Sequence, residues 1–218
     1  DLHSTSRRQR QMCIRDRTQT QIQLEQALQQ ASTELDSQQA AAEAQAAVTE
    51  EKHKAYEQAT AALDAYLKAQ SQKYQDPARH CSLDFTCPLP SVGRISTYFG
   101  EPDAVYNKPH TGADMPAASG TLIYAVADGV VSAASARPSY GNCVQIDHGT
   151  ADDGSSYATL YAHMSSFCVS AGQTVHKGDV IGYVGNTGDV RGANGGYHLH
   201  LELRINGTRT DPLQYIPH

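Results

Sequence analysis

Five residues of this chain have types and spacing that point to chemistry: His110, Asp114, His163, His198 and His200. His110 and Asp114 form an H-x-x-x-D pair, His198 and His200 form an H-x-H pair, and His163 lies between them in YAHM. Three imidazole or carboxylate ligands around an open fourth position are how proteins hold a catalytic zinc ion. The set offers one ligand more than such a site needs, and a further histidine for proton transfer. That surplus points to a hydrolytic metal site.

Alternation along a β-strand explains the H-x-H. In HLHLELR, His198, His200, Glu202 and Arg204 share one face, while Leu199, Leu201 and Leu203 share the other. Both imidazoles then emerge on one side, about 7 Å apart along the strand. YATLYAH follows the same logic, with Ala158, Leu160 and Ala162 on one face and Tyr157, Thr159, Tyr161 and His163 on the other. If the two strands share a sheet face, three histidines converge on one groove. The spacing of His110 and Asp114 would suit a helix, but Gly112 and Pro116 favour an extended turn. His148 in QIDHG reads as a turn or structural residue, and His176 in TVHKGD as exposed on a turn. His53, His80 and His218 belong to no motif.

The elements that must position these groups show in the composition. All 17 Gly lie at or beyond Gly93 and the first Pro is Pro77, which marks a domain boundary. Residues 18–75 are rich in Gln, Ala and Glu, and without breakers they predict one long helix of about 85 Å. Leu24, Leu28, Ala31, Leu35, Tyr56, Ala59, Leu63, Tyr66 and Leu67 form a stripe at spacings of three and four. A helix cannot bury such a stripe alone, so a coiled-coil spacer or arm is expected, paired with a partner helix or another copy. Residues 76–92 read as a linker. Beyond it, short β-prone segments at 121–126, 130–133, 143–147, 157–163, 180–184 and 198–205 are separated by turn residues. They predict a mainly antiparallel β domain, a sandwich or barrel, over 93–218. Residues 1–17 fit neither half, and QRQMCIRDR resembles translated sequencing-adapter read-through, so a non-native or disordered segment is expected there.

The 218-residue chain suffices for one full domain and a smaller appendage, and its net charge of −6 argues against a nucleic-acid binder. No apolar run is long enough to span a membrane. The chain begins at Asp1 with no signal peptide, so a fragment or processed form is expected. Cys81, Cys87, Cys143 and Cys168 allow three connectivities. Pairs 81–87 and 143–168 are favoured over four buried thiols if the protein is exported.

Residues 91–215 resemble the lysostaphin/LytM-type zinc endopeptidases, metallopeptidase family twenty-three, which cut peptidoglycan peptides. The resemblance is carried by GRISTYFG at 93–100, HTGADMPAASGTLIYAVADGVV at 110–131 and YGNCVQIDHG at 140–149. It continues in YATLYAHM at 157–164, GQTVHKGDVIGYVGNTGD at 172–189 and HLHLELRING at 198–207. It implies a LytM-like fold of the duplicated-hybrid-motif type. It also implies one zinc ion on His110, Asp114 and His200, with His163 and His198 as the non-ligand catalytic pair. Which of those two acts as base and which stabilises the oxyanion stays open. An exported, cell-wall location and a peptidoglycan peptide substrate are implied as well.

Four positions depart from the family pattern. Tyr197 follows Gly196 where Pro is common, beside the loop 189–196 that borders the substrate. Cys87 stands where many relatives carry Trp, and Cys143 and Cys168 replace apolar residues. Asn107 could approach the metal, as an upstream Asn does in latent relatives. Two other readings arise by resemblance. One is a LytM-like activator of other cell-wall hydrolases that has lost catalysis. The other is a biotinyl/lipoyl carrier hairpin at VHKGDVIGYVG, which lacks a suitably placed Lys.

Overall fold

The computed structural model describes residues 2–102, 108–190 and 193–218. The chain divides into two compact units, Asp1–Tyr56 and Glu57–His218. One helix, α1 (Leu2–Tyr74), runs through the first unit and into the second. It begins well before residue 18, so its backbone includes the segment that composition set apart. The absence of Gly and Pro lets it propagate, and Pro77 stops it.

Within the first unit, Ile22, Leu24, Leu28, Leu35 and Val48 are exposed. The solvated surface is supported by i,i+4 bonds: Gln21 to Glu25, Gln38 to Glu34, and Gln39 to Glu43.

In the second unit one face of the rest of α1 is covered by its own domain. Leu63 and Leu67 are buried against Ala133, Tyr140, Cys143, Leu160 and Ala162, with Tyr66 beside them. The Arg137 guanidinium lies 3.8 Å from the Tyr66 ring centroid. The expectation that the whole stripe needs a partner helix is therefore corrected at this end. The sheet supplies the cover, because small side chains at 133 and 162 leave room for leucines.

Among the described residues the sheet has nine strands: β1 (Ala113–Pro116), β2 (Leu122–Tyr124), β3 (Gly129–Arg137), β4 (Gly141–Thr150), β5 (Ser156–Phe167), β6 (Thr174–Val175), β7 (Val180–Val184), β8 (His198–Ile205) and β9 (Thr208–Thr210). The main path is β1-β8-β5-β4-β3-β6, β7 joins β2 to β5, and β9 extends β8. Every strand pairing is antiparallel. The expected mainly β, antiparallel domain after a long helix is what the chain forms.

Both sheet faces are covered. Met115, Ile123, Val131, Ile146, Tyr161, Leu199, Leu201 and Leu203 belong to the main core. The predicted alternation of β8 holds: the three leucines are fully buried, each stabilising by about 1.5–3 kcal/mol, and they fix the strand that carries the histidine pair.

The cysteine expectation does not survive. Cys81, Cys87, Cys143 and Cys168 are all free. Cys143 is buried on β4 beneath α1, where its thiol donates to the Ser135 carbonyl oxygen at 3.3 Å. Cys168 is exposed beyond β5, with its thiol on the Val180 carbonyl oxygen. The two thiols therefore meet different partners on different strands. Burial raises the Cys81 thiol pKa, the opposite of what a reactive thiolate needs.

Candidate metal centre

Strand β8 organises the site because it lies between β1 and β5. Its pairing with β1 sets Asp114 opposite His200 and Pro116 opposite His198. Directly paired residues project to the same face of a sheet, so Asp114 and His200 meet across the ladder. His110 precedes β1 in an extended turn, as Gly112 and Pro116 suggested. Its N–H donates to the Glu101 carbonyl oxygen, and its own carbonyl accepts from Gly100. Gly112 permits this approach: a Cβ there would lie 2.2 Å from the Leu201 carbonyl oxygen.

The result is a compact donor triad. His110 Nε2 lies 3.1 Å from His200 Nδ1 and 3.2 Å from Asp114 Oδ1, and His200 Nδ1 lies 2.8 Å from Asp114 Oδ1. Tetrahedral zinc with bonds of about 2.0–2.1 Å sets its donors about 3.3 Å apart, so the triad fits such an ion with small adjustments. Of the described residues, these three form the group of His, Cys, Asp or Glu side chains able to hold a metal. The far nitrogens agree. His110 Nδ1 faces the Tyr98 carbonyl oxygen at 3.3 Å, and His200 Nε2 faces Thr111 Oγ1 at 3.4 Å and Glu202 Oε1 at 3.5 Å. Acceptors on the outer nitrogens leave the inner lone pairs for a cation.

His163 reaches the site by a route that alternation does not provide. Ala162 is paired with His200, so regular pleating would send His163 to the opposite face with Tyr161. Instead His163 has φ 59°, in the left-handed region, and its N–H donates to the Tyr140 carbonyl oxygen. The β4–β5 register gains a residue on β5 at this point, Asn142 pairing Met164 and Val144 pairing Tyr161. This bulge turns the imidazole onto the His200 face, with its centroid 4.8 Å from His198 and 5.7 Å from His200. The expectation that Tyr157, Thr159, Tyr161 and His163 form one face thus fails at the residue that matters most.

The tautomers of the two non-triad histidines are set in the same way. His163 Nδ1 donates to the Thr187 carbonyl oxygen at 2.9 Å, and His198 Nδ1 donates to the Gly196 carbonyl oxygen at 2.6 Å. In each neutral ring Nε2 remains a proton acceptor. His198 Nε2 stands 3.6 Å from Asp114 Oδ1.

Burial and the neighbouring His200 and His198 push His163 down to about 3. Burial opposes charge on His200 too, but Asp114 and Glu202 outweigh it and raise its pKa to about 9. Burial would raise Asp114, yet hydrogen bonds from His110 and His200 hold it well below the carboxylate range.

His148 lies outside this cluster, buried between the Asp128 carbonyl oxygen and Thr159 Oγ1. His176 is exposed, as expected. Asn107 falls outside the described residues. Glu202, Tyr140, Arg204, Arg209 and Asp64 around the outer nitrogen of His200 were not singled out from sequence. Alternation had placed Glu202 and Arg204 on the His200 face, which was the available signal.

Comparison with known proteins identifies the domain. Residues 108–212 match the model of Peptidase family M23. DD-carboxypeptidase/endopeptidase Mpg of Neisseria meningitidis is 42% identical over 123 residues, covering 55% of this chain and 26% of that protein. Peptidoglycan DD-endopeptidase ShyA of Vibrio cholerae is 37% identical over 150 residues, covering 66% and 33%. Murein hydrolase activator NlpD of Escherichia coli is 34% identical over 129 residues, covering 59% and 30%. Among solved structures, a zinc containing peptidase from Vibrio cholerae superposes with a TM-score of 0.51 at 27% identity, covering 58% of this chain and 38% of that one. Residues 108–212 are thus a peptidase family M23 domain. The matched region spans a third or less of the length of these curated relatives.

Proposed function

We propose that the domain spanning 93–218 is a zinc-dependent endopeptidase that hydrolyses peptide bonds of bacterial peptidoglycan. One observation carries the reading: three convergent donors stand beside two histidines whose tautomers leave Nε2 free. His110, Asp114 and His200 are the proposed ligands of one zinc ion, and His163 and His198 the proton-handling pair. The three ligands would hold the ion, which would supply Lewis acidity toward a water molecule and the scissile carbonyl. Nε2 of one neutral ring, His163 or His198, accepts the water proton and returns it to the leaving amine, and the other ring, when protonated, donates from Nε2–H to the developing negative charge. The Thr187 and Gly196 carbonyls accept from Nδ1–H whether or not Nε2 carries a proton, and so hold the orientation of both rings. Asp114 neutralises positive charge that builds up beside His198.

The substrate class is taken from the relatives, several of which are named for peptidoglycan or murein. With that substrate class goes our assignment of the protein to the periplasm or cell wall. No described helix is long and apolar enough to cross a membrane. The exposed apolar stripe before Tyr56 is assigned to a helix–helix partner, as a coiled-coil arm over the earlier part of 18–75, with 76–92 as linker.

The test pairs metal content with digestion of purified cell walls, the released fragments being identified by mass spectrometry. The wild-type protein is expected to carry about one zinc and release peptide fragments. His200→Ala should lose both zinc and activity. His163→Ala should retain zinc and lose roughly 10²–10⁴-fold in kcat/KM. Wild-type protein that binds zinc but releases nothing, while stimulating another hydrolase, would establish the activator reading instead.

A further inference from the structure

The outer nitrogen of His200 opens onto a buried ionic network that ends on α1. Glu202, fully buried on β8, presents Oε1 to His200 Nε2 at 3.5 Å. The same oxygen accepts from the Tyr140 hydroxyl at 2.5 Å and from Arg209 Nε at 3.2 Å. Its Oε2 accepts from Arg204 Nε at 3.1 Å and Arg204 Nη2 at 2.7 Å. Asp64, on the same turns of α1 as the buried Leu63 and Leu67, closes the network. Its Oδ1 accepts from Arg204 Nη2 at 2.9 Å and Arg209 Nη2 at 2.7 Å.

The charges explain why both acids are needed. Two guanidiniums face two carboxylates, so the cluster is neutral in sum. A buried carboxylate needs such pairing, since an isolated buried charge costs several kcal/mol. With Asp64 in place, the arginines divide their donors between two acids, and Oε1 of Glu202 keeps acceptor capacity toward His200. Without Asp64, both guanidiniums would turn wholly onto Glu202 and draw electron density away from the imidazole. Tyr140 makes the arrangement stiffer: its ring packs edge-on to His200 and parallel to His163, and its hydroxyl is clamped by Glu202 and Arg209.

We infer that Glu202 is a positioning residue for the metal ligand His200, and that Asp64 of α1 tunes it through Arg204 and Arg209, making the 57–74 stretch a working part of the metal centre. The inference rests on the zinc-site reading above. Acceptors behind a metal-bound histidine fix its tautomer and raise its basicity, and their loss typically weakens metal affinity by about 10–100-fold.

The full chain is compared as wild type, Glu202→Gln, Asp64→Asn and Asp64→Glu. Zinc dissociation constants are read by competition with a chromophoric chelator, side-chain ¹⁵N shifts of His200 by NMR in the zinc-loaded protein, and thermal midpoints without metal. Glu202→Gln is expected to weaken zinc binding by about 10–100-fold and shift the His200 Nε2 resonance. Asp64→Asn, a partly exposed site that should leave the fold intact, is expected to weaken binding by roughly three- to tenfold and shift the same resonance, one ion pair further away. Asp64→Glu should recover most of the affinity. A folded Asp64→Asn protein with unchanged zinc affinity and His200 shifts would overturn the role of α1. Unchanged values in both Glu202→Gln and Asp64→Asn, with zinc-binding wild type, would overturn the inference and leave the function standing. Wild-type protein that binds no zinc would sink both.

Discussion

At the residue scale, the site depends on departures from regular backbone as much as on donor atoms. His163 sits at φ 59°, a conformation that costs an L-residue about 1–2 kcal/mol. Its bonds to the Tyr140 and Thr187 carbonyls hold it there. Gly112 makes the opposite contribution, removing a side chain where β1 must close on β8. A methyl group at 2.2 Å from the Leu201 carbonyl oxygen and 3.1 Å from His200 Cε1 forces the strands apart. Gly112→Ala is therefore expected to destabilise the domain by more than about 2 kcal/mol. It should also weaken zinc binding, because Asp114 and His200 face each other across that pairing. Chemical denaturation and zinc titration check this. A variant of wild-type stability and zinc affinity would show that β1 can reach its place without the close approach.

At the element scale, α1 behaves as two different helices. Its stripe was legible as a period of three and four, but periodicity does not say what covers it. Leu63 and Leu67 meet the sheet, whereas Leu24, Leu28 and Leu35 meet solvent. Leu67→Ala should cost about 2–5 kcal/mol in urea denaturation of the full chain, and Leu28→Ala no more than about 0.5 kcal/mol at low protein concentration. A Leu28→Ala loss that grows with protein concentration would instead show self-association of the arm.

The strands show the same division. The β8 histidine pair followed from strict alternation, because a two-residue period admits one arrangement with the leucines inside. The place of His163 did not follow, because a bulge breaks that period and leaves no mark in residue types. Strands β1, β6 and β9 have four residues or fewer, too short for a pattern to emerge. The disulfide expectation failed because sequence separation carries no information about which thiols share a strand face. The cluster around Glu202 was half legible. Its face was set by alternation, but its partner Asp64 lies 140 residues away from Arg204, on an element of different period.

At the scale of the whole molecule, stability should depend on pH through a histidine remote from the metal centre. His148 on β4 is fully enclosed, its Nδ1 donating to the Asp128 carbonyl oxygen and its Nε2 left to accept from the Thr159 hydroxyl, both at 2.8 Å. Thr159 Oγ1 lies 3.0 Å from the Tyr161 hydroxyl, which accepts the Val126 N–H. Phe85, from the segment leading into the sheet, packs edge-on against the same imidazole at 5.9 Å. One ring thus joins that entering segment, the turn before β3, and strands β4 and β5. Burial pushes its pKa down to about 4, overriding the bond to Asp128 and the nearby Asp147.

The unfolded chain binds a proton at this histidine near pH 6.5, but the folded chain resists until about pH 4. Between those values the unfolded state holds more protons, so folding stability is intact above about pH 6.5 and falls as pH is lowered through this window. The total loss is about 3 kcal/mol and levels off below the folded value. His148→Gln keeps a donor and an acceptor but cannot titrate. It is expected to lower stability at neutral pH and to flatten the slope between pH 6.5 and 4 relative to wild type. Urea midpoints of both metal-free proteins at pH 7.5, 5.5 and 4.5 provide the measurement. Subtracting the two profiles removes the contribution of the site histidines, which both proteins share. Parallel profiles would mean that His148 is protonated in the fold as readily as in the unfolded chain, and that the acid sensitivity of the domain arises at the metal centre.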